Sequence, residues 1–596
     1  MPGDTVKFSL GKKEWAFIEE VVVRNTKEFV GTVYTRGKKM FSSPIGFEND
    51  IRVAITGDIP NKINPGSLVK VKMTTQPQEG QLAEGYIEKA FTGGLELAYE
   101  IAVSNHHIKT NWPKSVVSES NKLKLKKDED NHCEDLRKKT FVTIDGKNAK
   151  DFDDAVLGEK DRDGNYILYV AIADVARFVE QGSAIDLEAA ERGTSVYFTQ
   201  KVVPMLPEVI SNDLCSLRPN EDKFCLVCKT VVDKNGNLQN STFFEAQINS
   251  KARLTYERLS KEIEQNKLHR TYSQSIEILL EIYQRLKDNK KHRGALELEV
   301  PFYVPKFSDN KISKFYSSPR TISHMMVEEF MLAANIATAE ICLKYNLPSL
   351  FRVHPKPDML KIKNLTSFLR SRRINTKLDD GNSVNQLSEL AEFVGDRKDK
   401  EIMHMQILQS LSLATYEAKV SEHFALGYKA YSHFTSPIRR YPDLIVHRTI
   451  KKLIEANNGA ISSDDNISPK APYTQDNLEK IAKECSVKER DAEKAERDAL
   501  NHLKCEFASE NIGNSYKGQI TGVTNFGLFI HLQEVNIEGL CHIKYLPKNE
   551  YYVYDESSQM LQSNSSKHSY SLGDFLKVKI EKVDVFSQRI DLRIQK

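Results

Sequence analysis

Four aspartates stand in the segment TIDGKNAKDFDDAV, residues 143–156: Asp145, Asp151, Asp153 and Asp154. Like charges repel, so a folded chain that crowds carboxylates this way must bring a counter-charge to them from elsewhere. FVTID reads as a strand ending at Asp145, GKNAKDF as a loop, and DDAV as the lead into the next strand. A strand end and its loop thus direct four carboxylates into one region. Two readings stand side by side here. One is a hard divalent cation, Mg2+ or Mn2+, held by carboxylate oxygens with positions left open for water and phosphate. The other is a polar turn with solvated acids. A calcium EF-hand fails: counted from Asp145, the third position is Lys147 and the twelfth Val156, where that loop needs an oxygen ligand and a Glu.

A second charged motif lies far downstream, in YSHFTSPIRRYPDLIVHRTIKKL, residues 431–453. It carries Arg439, Arg440, Arg448, Lys451 and Lys452, with Lys429 just before, against Asp443. Thr435-Ser436-Pro437 predicts a helix start, with Ser or Thr as cap and Pro at the first helical position. Arginines in a first turn oppose the helix dipole, a cost offset where they share an anion with the free backbone N–H groups. The competing reading is a surface helix with incidental arginines. A carboxylate cluster and an arginine clamp together point to phosphodiester chemistry.

At 596 residues the chain exceeds a single core, and a prior of about 150 residues per domain suggests about four domains. Net charge is only +3, so nucleic-acid affinity has to come from local basic patches. No apolar run reaches the roughly 20 residues of a membrane span, and the N-terminus lacks a signal-peptide pattern. The eight cysteines are scattered and read as free thiols in a reducing cytoplasm. Cys225 and Cys228 form a CxxC inside KFCLVCKTVV, a buried-strand pattern; a zinc ribbon needs a second pair.

Residues 1–110 read as short β segments of small barrels, the first 25 residues being too short for a complete one. Lys114–Lys139 reads as a charged connector. Amphipathic spacing predicts helices in QSIEILLEIYQRLKDN, SHMMVEEFMLAANIATAEICLKY and EIMHMQILQSLSLATYE. A polar loop over 457–474 precedes a long charged helix with a poor heptad, and after Gly513 short strands return.

These motifs, with AIADVARFV and SVYFTQKVVPMLPEVISNDLCSLRPNED, resemble the catalytic domain of the ribonuclease II / ribonuclease R family of processive 3′→5′ exoribonucleases, and LCSLRPNEDKFCLVC, LFRVH and VTNFGLF favour the ribonuclease R branch. The resemblance covers nearly the whole chain and implies an α+β multidomain architecture. Its parts would be a remnant of a first cold-shock domain (1–28), a cold-shock OB domain (29–112), a mixed α/β catalytic domain with connector and charged helix (113–510), and an OB-fold domain of the ribosomal-protein S-one type (511–596). It implies that Asp145, Asp151 and Asp154 hold Mg2+, with Mn2+ as substitute, and that Asp153 belongs to the same site and is the acid whose loss stops chemistry. Arg439 would steady the scissile phosphate with Arg440 nearby. Tyr197 would pack on the terminal nucleotide and Glu496 would lie near the leaving end of the RNA. The competing readings are a core aromatic for Tyr197 and an exposed helix acid for Glu496. A second clamping aromatic is not placed within PFYVPKF.

On an OB barrel, Phe526 and Phe529 around Gly527, with His542, would make a stacking platform for bases. Leu528 and Ile530 alternate to the other face. The start inside a cold-shock domain and the end at DLRIQK, without a Lys-rich tail, put duplex degradation in question. The expected protein is a cytoplasmic monomer acting on single-stranded RNA with a free 3′ end, with no membrane partner, releasing nucleoside 5′-monophosphates. Its rivals are a catalytically silent RNA-binding protein of the same fold and a metal-dependent endonuclease.

Overall fold

A computed structural model describes the chain except residues 1–3, 11–15, 25, 46–50, 60–62, 78–80, 125–132, 302, 309–310, 318, 377, 379–382, 463–464, 466–469, 548–550, 557, 565–567 and 596. It is a mixed α/β multidomain protein with a closed β-barrel on each side of a catalytic-sized centre. The first barrel closes through the strands Glu28–Arg36, Lys39–Pro44, Val53–Ile55, Ala83–Phe91 and Leu68–Thr75. Its core is aliphatic, with Val33, Val53, Val69 and Val71 fully buried. A separate hairpin, Thr5–Leu10 with Ala16–Val23, precedes it.

Between the barrels lies one large sheet. Its strands run in the order Ala252–Thr255, Val142–Asp145, Asp154–Lys160, Tyr166–Ala173, Asp222–Val232, Leu238–Asn249 and Ala460–Ser462. Ala252–Thr255 runs parallel to Val142–Asp145, placing Thr255 beside Asp145. The CxxC strand sits in the middle of this sheet, and both of its thiols are free and buried. The helices Ser273–Arg293, Ile322–Lys344 and Tyr441–Ala456 pack on the sheet. Each offers an apolar stripe, such as Leu444, Ile445, Ile450 and Leu453, all fully buried.

The second barrel is built from Ser515–Thr524, Gly527–Leu532, Ile537–His542, Arg589–Ile594 and Phe575–Asp584. Its core continues into three helices, Met359–Ser371, Val384–Val394 and Lys400–Ser410, so that Phe368, Leu387, Ile407, Leu528 and Ile580 belong to one apolar cluster. The 35-residue helix Gln475–Ser509 runs alongside both barrels and the centre.

Four expectations are corrected. Residues 94–105 form a helix rather than strand, because Gly93 and Gly94 take positive φ of 110° and 77° and Leu97, Ile101 and Ala102 then recur at helical spacing. The connector is not all exposed: Lys114–Ser120 is a helix that buries Val116, and Glu119 accepts the amides of Ala184 and Ile185. Residues 125–132 lie outside the described residues. The helix expected to reach Glu417 ends at Ser410, where Leu411 turns extended, and Thr415–Glu417 pairs instead with Phe351–Val353. The helix expected to start at Thr435-Ser436-Pro437 starts at Tyr441, with Pro442 at its first positions and Asp443 in its first turn. Ser436 cannot cap it, because its N–H is already spent on Asp443 and its Oγ on Arg439.

The segment leading into that turn is held from behind by Phe434, fully buried, stacked on His447 at 4.5 Å and edge-on to Phe243 at 5.6 Å. Its N–H donates to Asn335 Oδ1 and its carbonyl accepts from His447 Nε2. Phe434→Ala should therefore cost about 3–5 kcal/mol of stability, checked by the fall in denaturation midpoint at an unchanged m-value.

Candidate active site

The aspartate loop is pinned at both ends by contacts that local sequence did not announce. Ser216 Oγ donates to the carbonyl of Lys150 at 2.7 Å and accepts the amide of Phe152 at 3.0 Å, while Leu217 N donates to Phe152 O. Arg253 Nη2 donates to the carbonyls of Gly146 and Lys147, both at 2.7 Å. Ala173 N donates to the carbonyl of Asp153, tying the loop to the next strand but one.

Within this frame the four carboxylates are neighbours with distinct roles. Asp145 accepts the amide of Gly146 at 2.7 Å. Asp151 accepts the phenol of Tyr197 at 3.0 Å. Asp153 is buried; its Oδ1 accepts the amide of Ile438 at 2.9 Å, and its Oδ2 lies 3.8 Å from Arg439 Nε. Burial pushes the Asp153 carboxyl well above its ordinary range, with Arg439 and the Ile438 amide pulling the other way. Burial, then the charge of Asp145, pushes Asp154 up to about 7, and no hydrogen bond offsets it. Asp145 is raised as well, by burial first. Arg439 thus acts on Asp145, Asp153 and Asp154, with Arg253 acting on Asp145 as well. Among the described residues no three of these or other His, Cys, Asp or Glu side chains stand gathered closely enough to hold a metal ion as they are placed. The donor set is all hard oxygen, and its uncompensated negative charge in a buried place fits a hard divalent cation.

The arginine motif arrives as a turn. Arg439 and Arg440 both return their amides to the Ser436 carbonyl. The Arg439 carbonyl accepts the amide of Ser195 and the hydroxyl of Thr194, and Tyr441 N donates to Gly193 O. The same short segment continues into Tyr197, so the backbone holding Arg439 also places that aromatic. Tyr197 pairs in the hairpin Val196–Phe198 with Lys201–Val203, the residue 36% exposed and its amide donating to Glu496 Oε1 at 2.9 Å. The tyrosine phenol is held above its usual range by burial and the neighbouring Asp151 charge. Glu496 accordingly acts on the hairpin backbone rather than standing as a free helix acid.

Arg440 is the exception among the expected site residues. It turns away from the carboxylates to an ion pair with buried Asp443, Nη2 to Oδ1 at 2.7 Å, among Tyr416, Tyr431 and His433. A buried cation needs a paired anion, and Asp443 supplies it where the aspartate cluster is already served by Arg439. Burial keeps His433 far below its normal range and therefore neutral beside Arg440. Tyr256, stacked on His324 at 3.9 Å, also borders the cluster: burial and then the charges of Asp154 and Asp145 raise its phenol. No local sequence signal singles it out.

Phe526, Phe529 and His542 gather on the second barrel, not at the aspartates. Phe526 is exposed and meets Phe529 edge to face at 6.1 Å, while Leu528 and Ile530 are fully buried on the other face. Gly527 stands opposite His542 with φ of 155°, where a Cβ would come within 2.4 Å of the Cys541 carbonyl. Within PFYVPKF, Phe302 lies outside the described residues.

Residues 133–456 match the RNB domain and residues 509–595 the S1 RNA binding domain. The chain is 36% identical to ribonuclease R of Escherichia coli over 98% of its own length and 73% of that protein. It is 34% identical to ribonuclease R of Thermotoga maritima over 96% of its length and 81% of that protein. Among solved structures, Mycoplasma genitalium RNase R in complex with ribose-methylated single-stranded RNA superposes with a TM-score of 0.87 at 25% identity, covering all of this chain and 94% of that one.

The raised Asp154 has a consequence for stability. Because the folded pKa, about 7, exceeds the unfolded value of 3.8, protonated Asp154 contributes stability that is fully present below about 4 and lost as pH rises through about 7. With divalent cations chelated, Asp154→Asn should therefore gain on the wild type as pH rises from about 4 to about 8, by up to about 4 kcal/mol. Denaturation midpoints of the two proteins across that range check it; a constant difference refutes it.

Proposed function

The chain belongs to the RNB-domain family that includes ribonuclease R, and from that premise we propose how its site degrades RNA. The activity is that of a 3′→5′ exoribonuclease. The observation that carries the mechanism is the meeting of Ile438 N–H and Arg439 with Asp153, which joins the acidic loop to the arginine turn in one buried place.

Arg439, with its side chain still partly open to solvent beside the carboxylates, receives the scissile phosphate. Its planar fork offers two donors to phosphate oxygens, which a lysine would not. Asp145, Asp151, Asp153 and Asp154 would hold Mg2+, with Mn2+ as substitute. When bound, such an ion lowers the pKa of a coordinated water and neutralises charge on the departing 3′-oxygen. Asp153 is fixed by the Ile438 amide, so its unshared oxygen keeps one direction toward the site. Tyr197 presents its ring to the terminal nucleotide, and Glu496 keeps the hairpin backbone from shifting under it. None of these groups reads a base edge, which suits a general degrader releasing nucleoside 5′-monophosphates successively. The stacking pair on the second barrel would grip the strand upstream. We assign the protein to the cytoplasm as a monomer on the strength of its free thiols and its family.

The test is nucleotide release from a 3′-labelled single-stranded oligonucleotide, with Mg2+ and with EDTA. Labelled mononucleotide released only with Mg2+ supports the reading. Internal fragments would make it an endonuclease, and RNA binding without release would make it a silent member of the fold. Asp153→Asn should abolish hydrolysis while single-stranded RNA binding, spread over many phosphate and stacking contacts, stays within about threefold. Near-wild-type turnover in that variant would remove the acidic loop from the chemistry.

Removing the whole second barrel is a poor test of grip, because its core is shared with the helices between Met359 and Ser410. A point change serves better. Phe526→Ala should weaken single-stranded RNA binding by about 1–3 kcal/mol and shorten processive runs, with hydrolysis at saturating enzyme unchanged. Intermediates on a gel and an anisotropy titration read the two effects separately.

A further inference from the structure

Arg439 has a long side chain, a partly exposed guanidinium and only a 3.8 Å approach to Asp153. That contact alone leaves the fork free to turn. A second contact fixes it: Arg439 Nη2 donates to Ser436 Oγ at 3.1 Å. Ser436 is buried, and this is the hydrogen bond its hydroxyl makes. The serine in turn is set from behind. Its amide donates to Asp443 Oδ1 at 2.8 Å, and the same oxygen takes Arg440 Nη2 at 2.7 Å. Asp443 is wholly buried on the rigid helix Tyr441–Ala456. A chain of short contacts therefore runs from the helix through Asp443 and Ser436 to the guanidinium that faces the carboxylates.

We propose that Ser436 is a positioning residue for Arg439, locked by Asp443, and that it orients the guanidinium fork toward the scissile phosphate. The inference rests on the phosphate-binding reading of Arg439. An ordinary turn-capping serine would spend its hydroxyl on its own backbone; this one spends it on a neighbouring side chain that reaches the reacting centre. The paired Arg440 serves the same end from the other side, because its contact with Asp443 Oδ1 holds that side chain in place.

The experiment is a double-mutant cycle on the full chain: wild type, Ser436→Ala, Arg439→Ala and both together. Single-turnover hydrolysis of a single-stranded oligonucleotide with Mg2+ gives the rate. Anisotropy in EDTA gives RNA affinity, and thermal denaturation gives Tm. Ser436→Ala is expected to slow hydrolysis about tenfold, with affinity changed less than about twofold and Tm nearly unmoved. The double variant is expected to be no slower than Arg439→Ala, because the hydroxyl acts only through that arginine. Ser436→Cys, which keeps the volume but offers a weaker acceptor, should fall between and carries the test if the alanine variant is unstable. A wild-type rate in Ser436→Ala with Arg439→Ala impaired overturns the positioning role and spares the phosphate role. A wild-type rate in Arg439→Ala overturns both. An equal further loss in the double variant also overturns the proposal, since Ser436 would then act independently of Arg439.

Discussion

A single buried carboxylate organises the centre of this protein. Asp153 takes the amide of Ile438 on one oxygen and faces Arg439 with the other, bridging residues 285 apart in the chain. Removing a carboxylate from water carries a large penalty unless donors replace the lost solvent. The donors here are a backbone amide whose direction is fixed by a turn and a cation that cannot lose its charge. The turn is fixed in its own right, by Asp443 below and by the Thr194–Ser195 backbone beside it. The acidic loop is fixed by Ser216 and Arg253. Each partner is thus oriented by groups outside the pair, which is how a site reaches sub-ångström reproducibility without the substrate present.

The architecture around that contact separates anchoring from gripping. The sheet, with its fully buried centre, carries Asp145 at a strand end and Asp154 at a strand start, with Asp151 and Asp153 on the loop between them. Aromatics that would meet RNA stand on shorter, more exposed pieces: Tyr197 on a three-residue-strand hairpin and Phe526 at a tight turn of the second barrel. The barrel is nonetheless no loose appendage. It shares an apolar core with the helices that follow Met359, so its orientation toward the centre is held by packing.

What the sequence disclosed followed the strength of local signals. The acidic loop was readable because charge crowding is abnormal wherever it occurs, and its strand–loop–strand frame came out as Val142–Asp145 and Asp154–Lys160. On the second barrel the expectation that Leu528 and Ile530 turn to the other face, leaving at least one of Phe526 and Phe529 at the surface, is met: both aliphatics are buried and Phe526 is exposed. The failures were failures of context. Thr-Ser-Pro carries a helix-start pattern, but the Ser436 hydroxyl takes the Arg439 side chain three residues on, and the helix begins at Tyr441, just before the next proline. The doubled arginine read as one function, whereas burial split it: Arg439 faces carboxylates and Arg440 balances Asp443. Ser216, Arg253 and Tyr256 carry no local anomaly; their importance arises only from what the fold brings against them.

The charge balance of the centre ties its competence to its occupancy. Three of the four carboxylates sit above their ordinary range, with burial as the leading cause each time. Arg439, with Arg253 acting on Asp145, offsets only part of that burial cost, so the protonated forms are favoured relative to free carboxyls. Deprotonated carboxylates are the form that binds a hard cation, and binding must expel those protons. On the proposed reading Arg439 would serve twice, as counter-charge to Asp153 and as a donor to the phosphate, and its 3.8 Å approach to Asp153 suits both: a tighter ion pair would stabilise the protein while holding the fork away from phosphate.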